Sequence, residues 1–263
     1  MPTRSWIDIN CDCGESYGNW RMGDDERMFE LITTANLACG FHAGDPRTML
    51  RSVRAAQAHG VVVGAHPGLP DLMGFGRRPM AVTAEELYAY WLYQIGSLQA
   101  MLHAHGMALN HAKPHGAMYT IVRGDDELGE AAAQAVAEAA PGAVVYWPTR
   151  EDAFGRAAQR RGIPVVTEIY PDLKYRPDGS LIIEREKAHL DLDHAAEQVR
   201  RFVAEGVVQA VDGSLLEVDA TSICIHGDGP NAIEVATTVR RVLEEAGCTV
   251  RAASAEDHAT ANA

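Results

Sequence analysis

Strand-length apolar runs recur along the chain with helix-length segments between them, and this alternation limits the fold more than any other feature. The runs are WIDIN (6–10), ANLAC (35–39), VVVGA (61–65), LNHA (109–112), AVVYW (143–147), IPVVTEI (163–169) and SICIH (222–226). Four helices are expected between them. One spans 45–60, with Asp45 as N-cap, Pro46 at the first helical position and Gly60 as the stop. A second spans 83–106 and opens with Thr83 and Glu86 in capping-box spacing. The others are 126–140 and 231–247, ending at Pro141 and Gly247. Strand, helix, strand in succession requires parallel pairing through helical crossovers. Strands that are apolar almost throughout are covered on both faces. Two stretches, 176–184 and 207–218, hold Asp-Gly-Ser between β-prone residues and read as hairpins. CTVRAA (248–253) reads as an eighth strand or a trailing segment. One domain over residues 1–253 and a flexible tail over 254–263 are expected, with no linker between domains.

The ends of these runs are where the chemistry collects. Asn10, Asp12 and Glu15 follow the first run, His42 and Asp45 the second, and His66 the third. His111, Lys113 and His115 follow the fourth, Tyr170 and Asp172 the sixth, and His226 and Asp228 the seventh. In a β/α barrel or an open α/β sheet these ends share one face, where catalytic groups gather. Any one of the histidines is more often a satisfied structural residue than a ligand. Asp8 and Asp45 alone suggest caps or loop braces. Several histidine-bearing strand ends with acids beside them, all on one face, argue for a site.

The chain has 23 Lys+Arg against 36 Asp+Glu, a formal charge of −13, which disfavours nucleic acid and anionic membranes as partners. Its five cysteines, Cys11, Cys13, Cys39, Cys224 and Cys248, are an odd number without dense spacing. The start MPTRSWIDIN lacks an apolar signal core. Both point to a reducing, cytoplasmic setting. Cys11-x-Cys13 is a weak metal signal, and Cys39 reads as a buried thiol before it reads as a nucleophile. There is no GxxxxGK[ST], GxSxG, HExxH or GxGxxG, so phosphate-loop, serine-hydrolase, zincin and dinucleotide chemistries are disfavoured.

DINCDCGESYG (8–18), GDDE (23–26), ANLACGFHAGDP (35–46), GAHPGLPDLMGFGRR (64–78), YQIGSLQA (93–100), HAKPHGAMY (111–119) and HGDGPNA (226–232) together resemble the LamB/YcsF family. Its bacterial members include the A component of the ATP-dependent 5-oxoprolinase. The resemblance runs over almost the whole chain and implies a variant (β/α) barrel with seven main parallel strands, akin to the sugar-deacetylase barrels. It implies hydrolytic opening of 5-oxoproline to glutamate, with ATP handled by partner subunits B and C, in keeping with the missing ATP motif. The sequence departs from the family around Asp172: Leu173 stands where an Arg is usual, and a following Pro-Gly turn is absent. A stand-alone, metal-dependent deacetylase or amidase acting on another cyclic amide or acetylated compound is the alternative. A binding subunit without chemistry is the third reading, disfavoured because a scaffold has no use for such strand ends.

Opening a lactam needs an activated water, stabilisation of an oxyanion and a proton for the leaving nitrogen. The expected catalytic set is Asp12, Glu15, His42, Asp45, His66, Lys113, His115, Asp172, His226 and Asp228. Asp12 or Glu15 is the expected base, and Lys113 the cation for an oxyanion or phosphate. His115 or His226, oriented by Asp228, is the expected proton donor. His42, His66 and Asp12 are the expected ligands should a divalent metal be used. A homo-oligomer is left open.

Overall fold

A computed structural model describes residues 5–184, 187–254 and 257. In chain order the elements are β1 (Trp6–Cys13), α1 (Asp25–Phe29), β2 (Thr34–Ala38), α2 (Pro46–His59), β3 (Val62–His66), α3 (Ala84–Ala104) and β4 (Leu109–Ala112). Next come α4 (Ala117–Gly124), α5 (Asp126–Ala139), β5 (Val144–Trp147), α6 (Ala153–Arg160), β6 (Val165–Ile169), β7 (Lys174–Tyr175) and β8 (Leu181–Ile182). The chain goes on through α7 (Leu192–Glu205), β9 (Val207–Gln209), β10 (Leu215–Glu217), β11 (Ser222–His226), α8 (Ala232–Glu245) and β12 (Thr249–Val250).

β11, β6, β5, β4, β3, β2 and β1 lie side by side, and β1 also pairs in parallel with β11, from Asp8↔Ser222 to Asp12↔His226. This closes a seven-stranded parallel barrel, the architecture the sequence predicts. β12 pairs with the start of β1, outside the ring, so CTVRAA contributes a two-residue strand there. β9–β10 is the hairpin expected within 207–218, and β7–β8 turns at the expected Asp-Gly-Ser but takes its first strand, Lys174–Tyr175, from just ahead of 176–184; both sit beside the barrel as separate two-stranded sheets.

The caps act as the sequence suggests. Asp45 accepts from the backbone of Arg47 and Thr48, and Gly60 ends α2 in the left-handed conformation at φ 68°. Thr83 and Glu86 form a complete capping box. Helices α1, α4 and α6 are not among the expected ones; each has eight residues or fewer, too few for a clear helical period. α7 also lies outside the expected set, although its signals are local, with Asp191 capping its start and Gly206 its end.

The barrel interior departs from expectation. On β1, Ile7, Ile9, Cys11 and Cys13 join the apolar core, while Asp8, Asn10 and Asp12 alternate with them as buried polar groups. Asp8 is no loop brace. It accepts from the hydroxyls of Thr33, Thr34 and Ser222 at 2.6 Å each. Above it, the Asn10 amide donates to Ser222 Oγ at 2.8 Å and to Glu168 Oε2 at 2.9 Å. Asn36 bridges Asn10 Oδ1 and Asp12 Oδ1, at 2.8 Å each. His111 lies in this layer and not at the mouth, its Nε2 donating to Asn36 Oδ1 at 2.6 Å. Gly64 makes room for it: a Cβ there would fall 2.3 Å from the imidazole ring. A column of bonded polar side chains thus rises through the barrel to its C-terminal mouth, and every member has a partner, as burial demands. Of the expected tail, only residues 254 and 257 are described; Ser254 and Arg251 both bond Asp257.

Candidate active site

At the top of the column stands Asp12. β1 runs three residues beyond the expected end, so Asp12 is a strand residue facing the axis. Its Oδ2 lies 3.2 Å from His66 Nε2 and 3.5 Å from His226 Nε2, and its Oδ1 is 4.0 Å from Lys113 Nζ. Burial alone would raise this carboxyl, but His66, Lys113 and His226 outweigh it and hold the group well below the usual carboxylate range.

Lys113, one residue past β4, turns inward. Its ammonium is 2.9 Å from Glu168 Oε2 and 3.1 Å from Asn10 Oδ1, and lies 5.1 Å from the centre of the Tyr170 ring. Burial would lower it; Cys224, Glu168 and Asp12 together reverse that and keep it charged. Glu168 is held in turn by the Tyr170 hydroxyl at 2.6 Å. Glu168 is absent from the expected set because it sits inside an apolar run. A single acid in an otherwise apolar strand was the signal that could have found it.

Behind Asp12 three histidines and Glu15 form a sealed group, none more than 5% exposed. The rings of His42 and His115 stack at 3.8 Å, only 3° from parallel. Gly76, at φ +63°, lets the chain pass over them, since a Cβ there would sit 2.8 Å from His42 Cβ. His66 Nδ1 donates to the Lys113 carbonyl at 2.8 Å, and His115 Nε2 to the Phe75 carbonyl at 2.8 Å. Carbonyls only accept, so these two bonds fix both tautomers. The remaining nitrogens, His66 Nε2 and His115 Nδ1, face each other at 3.0 Å. Glu15 Oε1 approaches His42 Nε2 at 3.3 Å and His115 Nδ1 at 3.4 Å. Burial first, and neighbouring histidines next, push His42 and His115 well below the ordinary imidazole range. Burial, Asp12 and Asp228 push Glu15 well above the carboxylate range.

The third part of the site comes from the loops after β6 and β11. His226 Nδ1 bonds Asp172 at 2.9 Å, so its Nε2 faces Asp12. Asp172, and not Asp228 as expected, orients this histidine. Asp228 instead meets Arg77 at 2.7 Å and Lys187 at 3.0 Å. Neither cation was in the expected set; both sit in loops without periodicity to mark them. Asp45 is the expected site residue left out, because capping α2 and accepting from Gly18 use its oxygens. Cys39 is buried, donates to the Leu37 carbonyl and is pushed up to about 12 by burial, which rules out a resting thiolate.

Among the described residues, two groups of ligand-type side chains emerge, each with its atoms within 4.8 Å: Glu15, His42, His66 and His115, and Asp12, Cys224 and His226. The two groups meet at Asp12: of the expected trio, His66 and Asp12 are in contact at 3.2 Å, while His42 stands with Glu15, just beyond the strand, in the first group. A narrow cavity of ≈ 40 Å³, room for about one water, is bordered by Asp12, Lys113, His115, Tyr170, Lys187 and His226. A wider one of ≈ 590 Å³ adjoins it past Leu173, Glu184 and Lys187. Among the described residues no helix is long and apolar enough to cross a membrane.

A model of the LamB/YcsF family matches residues 7–258. A Thermus thermophilus protein named as the A component of 5-oxoprolinase is 49% identical, the match covering 94% of this chain and 99% of that one. One of the same name from Bacillus thuringiensis subsp. konkukian is 42% identical, over 93% and 97%. The crystal structure of a lactam utilization protein from Thermus thermophilus superposes with a TM-score of 0.87 at 46% identity, covering 94% of this chain and 100% of that one. A family 4 carbohydrate esterase from Streptomyces lividans, in complex with acetate, shares the fold at a TM-score of 0.50 and 12% identity, over 98% and 97%.

Proposed function

The chain belongs to the LamB/YcsF family, and from that premise we propose that it opens the lactam ring of 5-oxoproline to give glutamate, as the hydrolytic subunit of an ATP-dependent 5-oxoprolinase. ATP is spent on partner subunits B and C, which activate the amide; this chain completes the ring opening in the cytoplasm. One barrel domain over residues 1–253 carries the reaction. The observation that carries the reading is the convergence of Lys113 and the Asp172–His226 pair on one cavity beside the buried carboxylate of Asp12.

In this reading a first water attacks the phosphorylated carbonyl carbon and the ring C–N bond breaks, and a second water then releases the phosphate from the same carbon to leave glutamate and orthophosphate. His226, oriented through Nδ1 by Asp172, accepts the water proton at Nε2 and returns it to the departing ring nitrogen. Asp12 is held too acidic to be a strong base; it stabilises the imidazolium 3.5 Å away. Lys113 faces the oxyanion, where a preorganised cation in a dry site acts most strongly. Glu168, Asn10 and Tyr170 fix that ammonium in place.

The facing nitrogens of His66 and His115 favour a metal-assisted version. Two imidazoles with backbone-fixed tautomers, converging at 3.0 Å next to a carboxylate, suit a divalent cation or a shared proton. Glu15, His42, His66 and His115 would hold the ion, which supplies Lewis acidity and an acidified water.

The test is glutamate release from 5-oxoproline by the purified protein, alone, with EDTA or added divalent metal, and with ATP plus subunits B and C. Turnover is expected in the complete mixture alone. Turnover by the isolated protein without ATP, abolished by EDTA, would replace this reading with the stand-alone metal-dependent amidase.

A further inference from the structure

His111 opens the stretch His-Ala-Lys-Pro-His, yet only its neighbours Lys113 and His115 reach the mouth. Its own ring is fully buried below them, tilted against the Tyr146 ring with centroids 4.4 Å apart. Burial first, and then Lys113 and His66, hold it well below the ordinary imidazole range, so it is neutral and carries one N–H. The neighbours decide which nitrogen has the proton. Asn10 turns its amide nitrogen to the Glu168 carboxylate and its oxygen to the Lys113 ammonium. Asn36 therefore meets two acceptors, Asn10 Oδ1 and Asp12 Oδ1, and directs its own nitrogen at both. Asn36 Oδ1 is left for His111, and because it can only accept, the His111 proton sits on Nε2, 2.6 Å away. His111 Nδ1 is free to accept from the Asn110 amide at 3.3 Å.

These bonds run in one direction across the barrel wall, from His111 on β4 to Asn36 on β2 and on to Asp12 on β1. β3 lies between the first two. Gly64 is the β3 residue in register with Asn36, and a Cβ there would fall 2.3 Å from the imidazole. The missing side chain is what lets His111 reach over β3. Asn36 is in register with Asp12, and its bond at 2.8 Å is shorter than the approaches of His66 at 3.2 Å, His226 at 3.5 Å and Lys113 at 4.0 Å. It holds Oδ1 and leaves Oδ2 turned to His66 and His226. A carboxylate torsion is broad by itself, so this orientation has to be imposed from outside.

We infer that His111 is a positioning residue for the ring opening: through Asn36 it holds the Asp12 carboxylate in the orientation that meets the His226 imidazolium. This rests on the lactam reading above and adds a buried relay to it. A charge stabilises a transition state best when it is already in place. Neither His111 nor Asn36 borders the cavity, so their effect belongs in kcat and not in KM.

The test measures glutamate release in the complete mixture for His111→Phe, His111→Gln, Asp12→Asn and the double variant of His111→Phe with Asp12→Asn. Phe keeps a ring beside Tyr146 without the donor, and Gln returns an amide N–H near the place of Nε2. His111→Phe is expected to lower kcat by about 10-fold or more with KM changed by less than about 2-fold, and His111→Gln to recover most of the loss. The double variant is expected to be no slower than Asp12→Asn alone, because no carboxylate is left to hold. An unchanged kcat in His111→Phe, no recovery in His111→Gln, or losses that multiply in the double variant overturns the positioning role and leaves the lactam reading standing. The ¹⁵N spectrum of the histidine-labelled wild-type protein checks the relay without any variant: a His111 proton on Nδ1 overturns it. No turnover by the wild-type protein in the complete mixture overturns the lactam reading and the positioning role with it.

Discussion

Lys113 keeps its charge in a pocket that removes nearly all its water, and Glu168 is the residue that makes this tolerable. A buried ammonium without a counter-ion would neutralise. Lys113→Ala is therefore expected to cut turnover by about 10²–10³-fold, the usual loss of one oxyanion donor, with the circular dichroism spectrum preserved. Near-normal rates would remove Lys113 from the mechanism. Asp172→Asn keeps the shape at His226 but replaces its acceptor by an amide, which loses the hold on the tautomer. A loss of about 10²–10⁴-fold in kcat with little change in KM is expected. Much of this was legible in the sequence, because Asp12, Lys113, Asp172 and His226 follow or end strands. What escaped was partnership. Which acid serves His226 depends on how two loops 54 positions apart meet, and nothing in local spacing encodes that.

At the level of elements, Asp45 separates capping from catalysis. Its carboxylate closes the start of α2 and ties in Gly18. Burial would raise its pKa, but the Thr48 hydroxyl and the Gly18, Thr48 and Arg47 N–H groups bring it down to about 2, from 3.8. A carboxyl depressed by folding stabilises fully above its unfolded value and loses that contribution as pH falls through the folded one. Asp45→Ala is thus expected to cost about 1–2 kcal/mol at neutral pH and close to nothing near pH 2, while kcat is unchanged. Denaturant melts at several pH values and a rate assay check both halves; a drop in kcat without a drop in stability would return Asp45 to the site. The caps and hairpins could be read from sequence because their chemistry is local. The short helices could not, since tertiary packing decides them.

For the whole molecule, the alternation of strand and helix was enough to expect a parallel sheet with both faces covered, and the family resemblance implied its closure into a barrel, yet apolar runs concealed the polar interior. One polar residue at every second position disappears among apolar neighbours, and its meaning depends on which face turns inward. The histidine group gives a test at this scale. If Glu15, His42, His66 and His115 take a divalent ion, added Zn²⁺ raises the melting temperature and EDTA reverses the rise, because a ligand for the native state alone stabilises it by mass action. An unchanged melting temperature would leave a shared proton between His66 and His115.

Closure of the ring by β1 and β11 has a consequence for how the protein is made. The strand that carries Asp12 and its partner, with His226, lie more than two hundred residues apart in the chain, at Asp8↔Ser222 and Asp12↔His226. Without that partner the sheet has no closure, and β1, with Asp8, Asn10 and Asp12, lacks the neighbour that completes the ring. The proposed catalytic pairing comes into being only with the last barrel strand, so recovery of activity on refolding would report ring closure itself.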